Sequence, residues 1–208
     1  MSIDDVRNEL IFQYNDRLDK KRPLIVAIDG LGGAGKTTLV KEIEHELCRT
    51  HNVSIIHIDD HIVENSKRYN TDNEEWYEYY FLQWNVELIV EALFAKLRSN
   101  CTEILFPFYD KTNDKTFVKK IAIQTDSIII IEGVFLQREE WNSFYDYVIF
   151  IDCPKVIRHE RILKRDLYIG DSDAIVKKYK TRYWPAEDYY MKKVQPIKRA
   201  NIVINTNM

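Results

Sequence analysis

Three observations on this 208-residue chain predict an α/β fold in which helices pack on a parallel sheet. Short β-branched runs alternate with stretches of helical period, the order that builds parallel strands joined by right-handed crossovers. The first apolar run leads directly into a glycine-rich turn and then an amphipathic helix. Later runs end on acidic residues, where the carboxyl ends of parallel strands form a ligand crevice.

The elements follow in order. Ile3, Val6, Leu10, Tyr14 and Leu18 recur at helical spacing, and Ser2 with Asp5 has the form of a capping box. This predicts an N-terminal amphipathic helix within residues 1–22, broken at Lys20-Lys21-Arg22-Pro23. Leu24 to Ile28 reads as a strand, Gly30 to Gly35 as a loop, and Lys36 to Arg49 as a helix with Leu39, Val40, Ile43 and Leu47 on one face. A second strand covers Val53 to Ile58 and stops at Asp59-Asp60. Glu74 to Arg98 reads as one or two helices whose apolar side is Trp76, Tyr79, Tyr80, Trp84, Leu88 and Leu93. Glu103–Phe108 and Thr116–Ile123 form a hairpin around the polar turn Asp110–Lys115, expected as an insertion on the sheet. Strands at Ser127–Ile131, Tyr147–Ile151 and Ile202–Ile204 complete the sheet. Helices at Pro154–Asp166, where Pro154 suits a helix start, and at Asp173–Lys193 separate the last ones.

The composition limits the class. Residues are 45% hydrophobic, 12% aromatic and 30% charged, with a net charge of −3, which suits one soluble domain over residues 1–208. That charge gives no general electrostatic grip on nucleic acid or an acidic membrane. Cys48, Cys101 and Cys153 lie far apart, so neither a disulfide framework nor a zinc site is expected. Asp4 and Asp5 replace the apolar core of a signal peptide, and the apolar run Ile128–Ile131 is far too short for a membrane helix. A cytoplasmic location is expected.

Gly30-Leu-Gly-Gly-Ala-Gly35-Lys36-Thr37 fits GxxxxGK[ST] in full, between a strand and a helix. Glycines let successive N–H groups point inward, and the helix that follows turns its free N–H groups to the same anion. The loop residues Gly30, Gly32, Gly33, Ala34, Gly35, Lys36, Thr37 and Thr38 are therefore expected to hold a nucleoside triphosphate, with Lys36 on the β- and γ-phosphates and Thr37 on Mg²⁺. ATP is the expected donor. Asp59 and Asp60 at the end of the second strand face the same crevice, either as base or Mg²⁺ contact or as caps of the next segment. Glu132 at the end of its strand is a further Mg²⁺ contact, while Asp152 is a weaker candidate or a cap of the helix that starts near Pro154. Arg158, Arg161 and Arg165, spaced i, i+3 and i+7, form a basic helical face for a phosphoryl group or a solvated surface that Glu160 and Asp166 neutralise. Leu167–Asp173, with Gly170, is a candidate lid.

Together these residues resemble the uridine kinase-like group of P-loop small-molecule kinases, which includes phosphoribulokinase and bacterial-type pantothenate kinase. The resemblance runs over residues 23–205. It is carried by Asp29-Gly30 to Thr37-Thr38, Asp59, Pro107-Phe-Tyr109-Asp110, Glu132-Gly133-Val134, Arg161-Ile-Leu-Lys-Arg165-Asp166 and Lys198 to Ile204. It implies a P-loop NTPase three-layer sandwich with a five-stranded parallel core, ATP as donor, and Asp59 as base for the acceptor hydroxyl. It also implies arginines of 158–165 near the phosphates and a hairpin at 103–123 over the acceptor. Two features depart from the uridine kinase pattern. Glu78–Asn85 lacks an aspartate, and Lys111–Lys115 lacks a histidine. Tyr109, Asp60 and Arg158 remain as acceptor contacts. The expected activity is transfer of the γ-phosphoryl group of MgATP to a hydroxyl of a nucleoside-like or other small metabolite, by a monomer or a homo-oligomer. An NTP-dependent switch acting on a protein partner is the alternative. It lacks the NKxD element of a GTPase and the LSGGQ of a transporter ATPase.

Overall fold

A computed structural model describes residues 2–17, 21–99 and 101–206. Its strands are β1 (Leu24–Gly30), β2 (Asn52–His57), β3 (Glu103–Asp110), β4 (Lys115–Ala122), β5 (Ser127–Gly133), β6 (Tyr147–Asp152) and β7 (Ile202–Asn205). Five of them form a parallel sheet in the order β2-β5-β1-β6-β7. The helices are α1 (Ile3–Asn15), α2 (Lys36–Leu47), α3 (Asn65–Arg68), α4 (Glu75–Phe81), α5 (Val86–Ile89), α6 (Ala95–Arg98), α7 (Glu139–Asn142), α8 (Lys155–Arg165), α9 (Ser172–Lys178), α10 (Trp184–Val194) and α11 (Pro196–Arg199). No described helix is long and apolar enough to cross a membrane.

The two-residue period of the strands sorts the core into two layers. Leu24, Val26, Ile28, Ile128, Ile130, Ile149 and Ile151 face α1 and α2, against Val6, Leu10, Val40, Ile43 and Leu47. Ile25, Ala27, Ile129, Ile131, Val148 and Phe150 face the opposite layer, where Tyr80, Trp84, Leu93, Phe94, Ala186 and Tyr190 lie. Strands β1 and β5 are buried along their whole length, hence their near-continuous apolar runs. Burying each such Ile contributes about 1.5–3 kcal/mol.

Several details differ from the sequence expectation. Helix α1 has the capping box, with Ser2 Oγ accepting from Asp5 N–H and Asp5 accepting from Ser2 N–H, and it ends at Asn15. Leu18 and Lys20 lie outside the described residues. The hairpin is a two-stranded sheet of its own, β3 with β4, and not an extension of the main one. The 74–98 region breaks at residues 82–85, where Asn85 caps the second helix through Leu88 N–H. That cap turns Leu88 outward, 38% exposed, while Val86, Ile89, Leu93 and Leu97 take the inner face.

Helices α9 and α10 are joined without a loop by a π-helical turn, Tyr179–Tyr183, in which Trp184 N–H reaches back to Tyr179 O. Pro185 explains the widening. Its ring would press on the carbonyl four residues earlier, and it has no N–H to give. A single wide turn removes that conflict and keeps the helix continuous.

Candidate active site

The loop between β1 and α2 has the backbone that its glycines permit. Gly33 and Gly35 have φ of 77° and 101°, the left-handed region that side chains with a Cβ avoid. Lys36, 9% exposed, folds over the loop and donates to the carbonyls of Gly30 (2.8 Å) and Leu31 (3.1 Å). Thr37 Oγ1 lies 3.3 and 3.5 Å from the two Glu132 oxygens. Register explains this meeting. Ile28 of β1 and His57 of β2 both pair with Glu132 of β5, so the three strands end together beside the loop.

Glu132 is buried, which disfavours its charge. The hydrogen bond from His57 and the charges of Lys36 and His57 outweigh that burial and hold the carboxyl below its ordinary range. His57, missed in the sequence, lies 3.5 Å from Glu132 through Nδ1, and this contact raises its own proton affinity. Strand β2 stops at His57, one residue before the expected end. Ile58–His61 forms a 3₁₀ turn. The turn separates the two neighbouring aspartates. Asp59 opens onto the main cavity, whereas Asp60 lines a different one with His57, His61 and Phe108. Asp59 is reachable from the cavity yet crowded by protein atoms. Desolvation raises its proton affinity, Lys36 opposes this, and Glu132 adds to it.

The arginines of α8 do not act as one face. Arg158 is buried, 7% exposed, and turns inward. It pairs with Glu187 at 2.9 Å and also donates to Gly32 O and Cys153 O. It is not among the residues that line the main cavity, unlike Tyr109. Arg161 donates to Gly33 O and Ala34 O, both at 3.2 Å. With Ala34, Gly35 and Thr38 it lines a second cavity of about 380 Å³ behind the loop. Arg165 reaches the main cavity and pairs with Asp166. Glu160 makes no ion pair among the described residues. Glu187 is a residue that sequence reasoning missed. Its carboxylate accepts from Gly32 N–H at 2.7 Å, tying α10 to the loop. Burial pushes its carboxyl up, and Arg158 and the Gly32 N–H pull it back.

Asp29, which the sequence marks only as part of the motif, is fully buried behind the loop. It accepts from Tyr190 (2.5 Å), Gln137 Nε2 (3.1 Å) and Gly30 N–H (2.8 Å). These bonds anchor α10 and the segment after β5 to the strand that leads into the loop. Beyond β5, Gly133 lies so close to Ile58 that a Cβ there would sit 2.1 Å from Ile58 Cγ2. Only glycine lets β5 end this close to the turn that presents Asp59.

The main cavity, about 460 Å³, thus brings together Gly32, Lys36, Asp59, Tyr109 and Arg165. Tyr109 projects from β3 and donates to Asp114 at 2.9 Å. Glu78, in the stretch that departs from the uridine kinase pattern, turns away to Arg182 (2.9 Å) and Thr71.

The chain matches the model of the phosphoribulokinase/uridine kinase family over residues 25–207. It belongs to that family. A uridine kinase from Lactobacillus johnsonii is 28% identical over 90% of this chain and 88% of its own length. One from Staphylococcus carnosus is 30% identical over 86% of each. A solved structure from Bacillus stearothermophilus, described as a possible uridine kinase, superposes with a TM-score of 0.75 at 38% identity. The match covers 94% of this chain and 99% of that one. The five-stranded parallel sheet, the loop after its central strand and the helices on both faces are accordingly those of a P-loop kinase of this family.

Proposed function

We propose that this family member transfers the γ-phosphoryl group of MgATP to a hydroxyl of a small metabolite. The observation that carries this reading is that the Lys36 loop and the Asp59 carboxyl open onto one cavity. The site suits both ligands. Inward backbone N–H groups at a helix start suit a triphosphate. The hydroxyl of Thr37 beside the carboxylate of Glu132, with Asp59 near, is an all-oxygen donor set suited to Mg²⁺. Bound there, Mg²⁺ would offset phosphate charge during transfer.

The residues divide the work by position. Loop N–H groups and Lys36 hold the donor phosphates, while Arg161, Thr38 and Ala34 border the second cavity, on the side of the rest of the nucleotide. Asp59 takes the proton of the attacking hydroxyl as its oxygen forms a bond to the γ-phosphorus and the bond to the β-phosphate oxygen breaks. Desolvation suits Asp59 to this step by raising its proton affinity. Arg165 stabilises charge on the transferred group. The β3–β4 hairpin covers the acceptor, and residues 167–173, with Gly170 at φ 142°, close as a lid that excludes water.

The test is acceptor-dependent ADP release from MgATP. Asp59→Asn is expected to lower kcat roughly 10²–10⁴-fold with ATP affinity retained. The acid limb of the wild-type pH profile is expected to lie higher than an ordinary aspartate would place it. Lys36→Ala is expected to abolish nucleotide binding. Full turnover by Asp59→Asn would end the base assignment. ADP release that responds to no small hydroxyl compound, but rises with a protein partner, would instead support a switch.

A further inference from the structure

We infer that the acceptor is a small anion, a hydroxyl compound that also bears a carboxylate or phosphate, held by Arg68 and Lys178 beside Tyr69. This rests on the kinase reading above and specifies the acceptor end of the same cavity.

The starting observation is an arginine without an acid. Among the described residues, four arginines are buried: Arg68, Arg138, Arg158 and Arg182. Arg138 pairs with Glu140, Arg158 with Glu187 and Arg182 with Glu78. Arg68, 6% exposed, pairs with no carboxylate. Its Nε donates to Val63 O (2.8 Å) and one terminal nitrogen to Tyr109 Oη (3.2 Å). The other terminal nitrogen lies on the side of the Tyr69 hydroxyl and forms no hydrogen bond within 3.5 Å among the described residues, and the Arg68 side chain lines the main cavity. Removing a guanidinium from water without a counter-charge is costly, and the planar fork is suited to carboxylate and phosphate.

The surroundings reinforce the imbalance. The guanidinium carbon of Arg68 lies 4.8 Å from the Tyr69 ring centroid, and Lys178 Nζ lies 5.2 Å from the same ring. Lys178 and the hairpin residue Lys111 line the cavity and form no ion pair among the described residues. The acids that line it are Asp59, Asp166 and Glu187. Asp166 is taken by Arg165 and Glu187 by Arg158, and Asp59 serves the hydroxyl. Lys36 serves the donor. Arg68 and Lys178 are then left without an ion pair among the described residues: Arg68 reaches the Asp114 carboxylate only through the Tyr109 hydroxyl, and Lys111 acts on Asp59 from a distance. Arg182, already paired with Glu78, also lies against the Tyr69 ring, 4.0 Å from its centroid. Burial would raise the Tyr69 hydroxyl, yet Arg182, Lys178 and Arg68 together bring it below its ordinary value. A neutral nucleoside would leave this positive field uncompensated. An acceptor with its own negative charge neutralises it and is oriented by the fork of Arg68.

The test supplies MgATP to the full chain with two acceptor panels and follows ADP release. The neutral panel holds uridine, cytidine and glycerol. The anionic panel holds glycerate and pantothenate as carboxylates, and ribose 5-phosphate and glycerol 3-phosphate as phosphates, so its two arms separate the two anion types. An anionic compound is expected to give the highest kcat/KM. Lys178→Met, a half-buried position that tolerates methionine, is expected to raise that acceptor's KM about tenfold, the loss of one charge-assisted contact, with the KM for ATP within twofold. Arg68→Lys should lose less than Arg68→Gln, with unfolding temperatures measured on each. A neutral acceptor with the highest kcat/KM, unmoved by Lys178→Met, overturns the inference and leaves the kinase reading intact. ADP release unaffected by both panels overturns the two together.

Discussion

Glu187→Gln isolates the strut between the phosphate loop and α10. In the native chain its carboxylate, 4% exposed, meets Arg158 at 2.9 Å and Gly32 N–H at 2.7 Å. Glutamine keeps the shape and can still accept from Gly32, but it leaves the Arg158 charge buried with only the carbonyls of Gly32 and Cys153. Breaking a buried pair on one side costs about 3–5 kcal/mol. For a chain of this size, each kcal/mol moves Tm by about 2–4 °C. The expected fall is therefore about 6–20 °C, read by circular dichroism, with weaker ATP binding because the loop loses its charged brace. Adding Arg158→Met removes the stranded charge, so the double variant should be more stable than Glu187→Gln alone. A fall under about 3 °C, or a double variant less stable than the single, would refute the pairing argument.

Two further outcomes follow from the packing. Gly133→Ala places a Cβ against Ile58. Overpacking of this kind costs about 1–3 kcal/mol in chemical denaturation, and kcat should fall because Ile58 precedes Asp59. Adding Ile58→Ala should restore part of the stability. Asp146 accepts from Arg22, Arg17, Arg98 and Ile25 N–H. Burial opposes its charge, but the Arg22 hydrogen bond, the Ile25 N–H and the charges of Arg22 and Arg17 hold its carboxyl below the ordinary value. Its folded-state pKa is depressed, so its contribution is complete above the unfolded carboxylate pKa of about 4 and is lost as pH falls through the folded value. Asp146→Asn should cost about 3–5 kcal/mol at neutral pH and flatten stability against pH on the acid side.

Local signals carried much of the site. Gly30–Thr37 announces itself because the phosphate cradle is built from consecutive residues, and Glu132 because it ends an uninterrupted β-branched run. Asp59 and Asp60 could not be told apart, since a 3₁₀ turn and not a strand end decides which of two neighbours meets the cavity. The arginines of α8 were legible as a helical stripe. Their partners were not, since Glu187 lies 155 residues from Gly32 and helical spacing does not say which turn faces the loop. Arg68 gave no signal at all. A single arginine in a polar stretch becomes notable only once its neighbours prove to lack an acid. The layers of the core, in contrast, follow from strand alternation, which fixes the face of Ile128 to Ile131 before any contact is known.

The wide turn at 179–183 also bears on how this chain aligns with its relatives. It holds one more residue than an α-helical turn would, and the residues on both sides of it keep their contacts with the same core. A one-residue gap against a relative that lacks the wide turn can therefore fall inside an unbroken helix at this point and leave the phase of both halves intact. The same gap placed in α9 or α10 would rotate everything beyond it by about 100°, carrying Glu187 and Tyr190 away from the loop and Asp29.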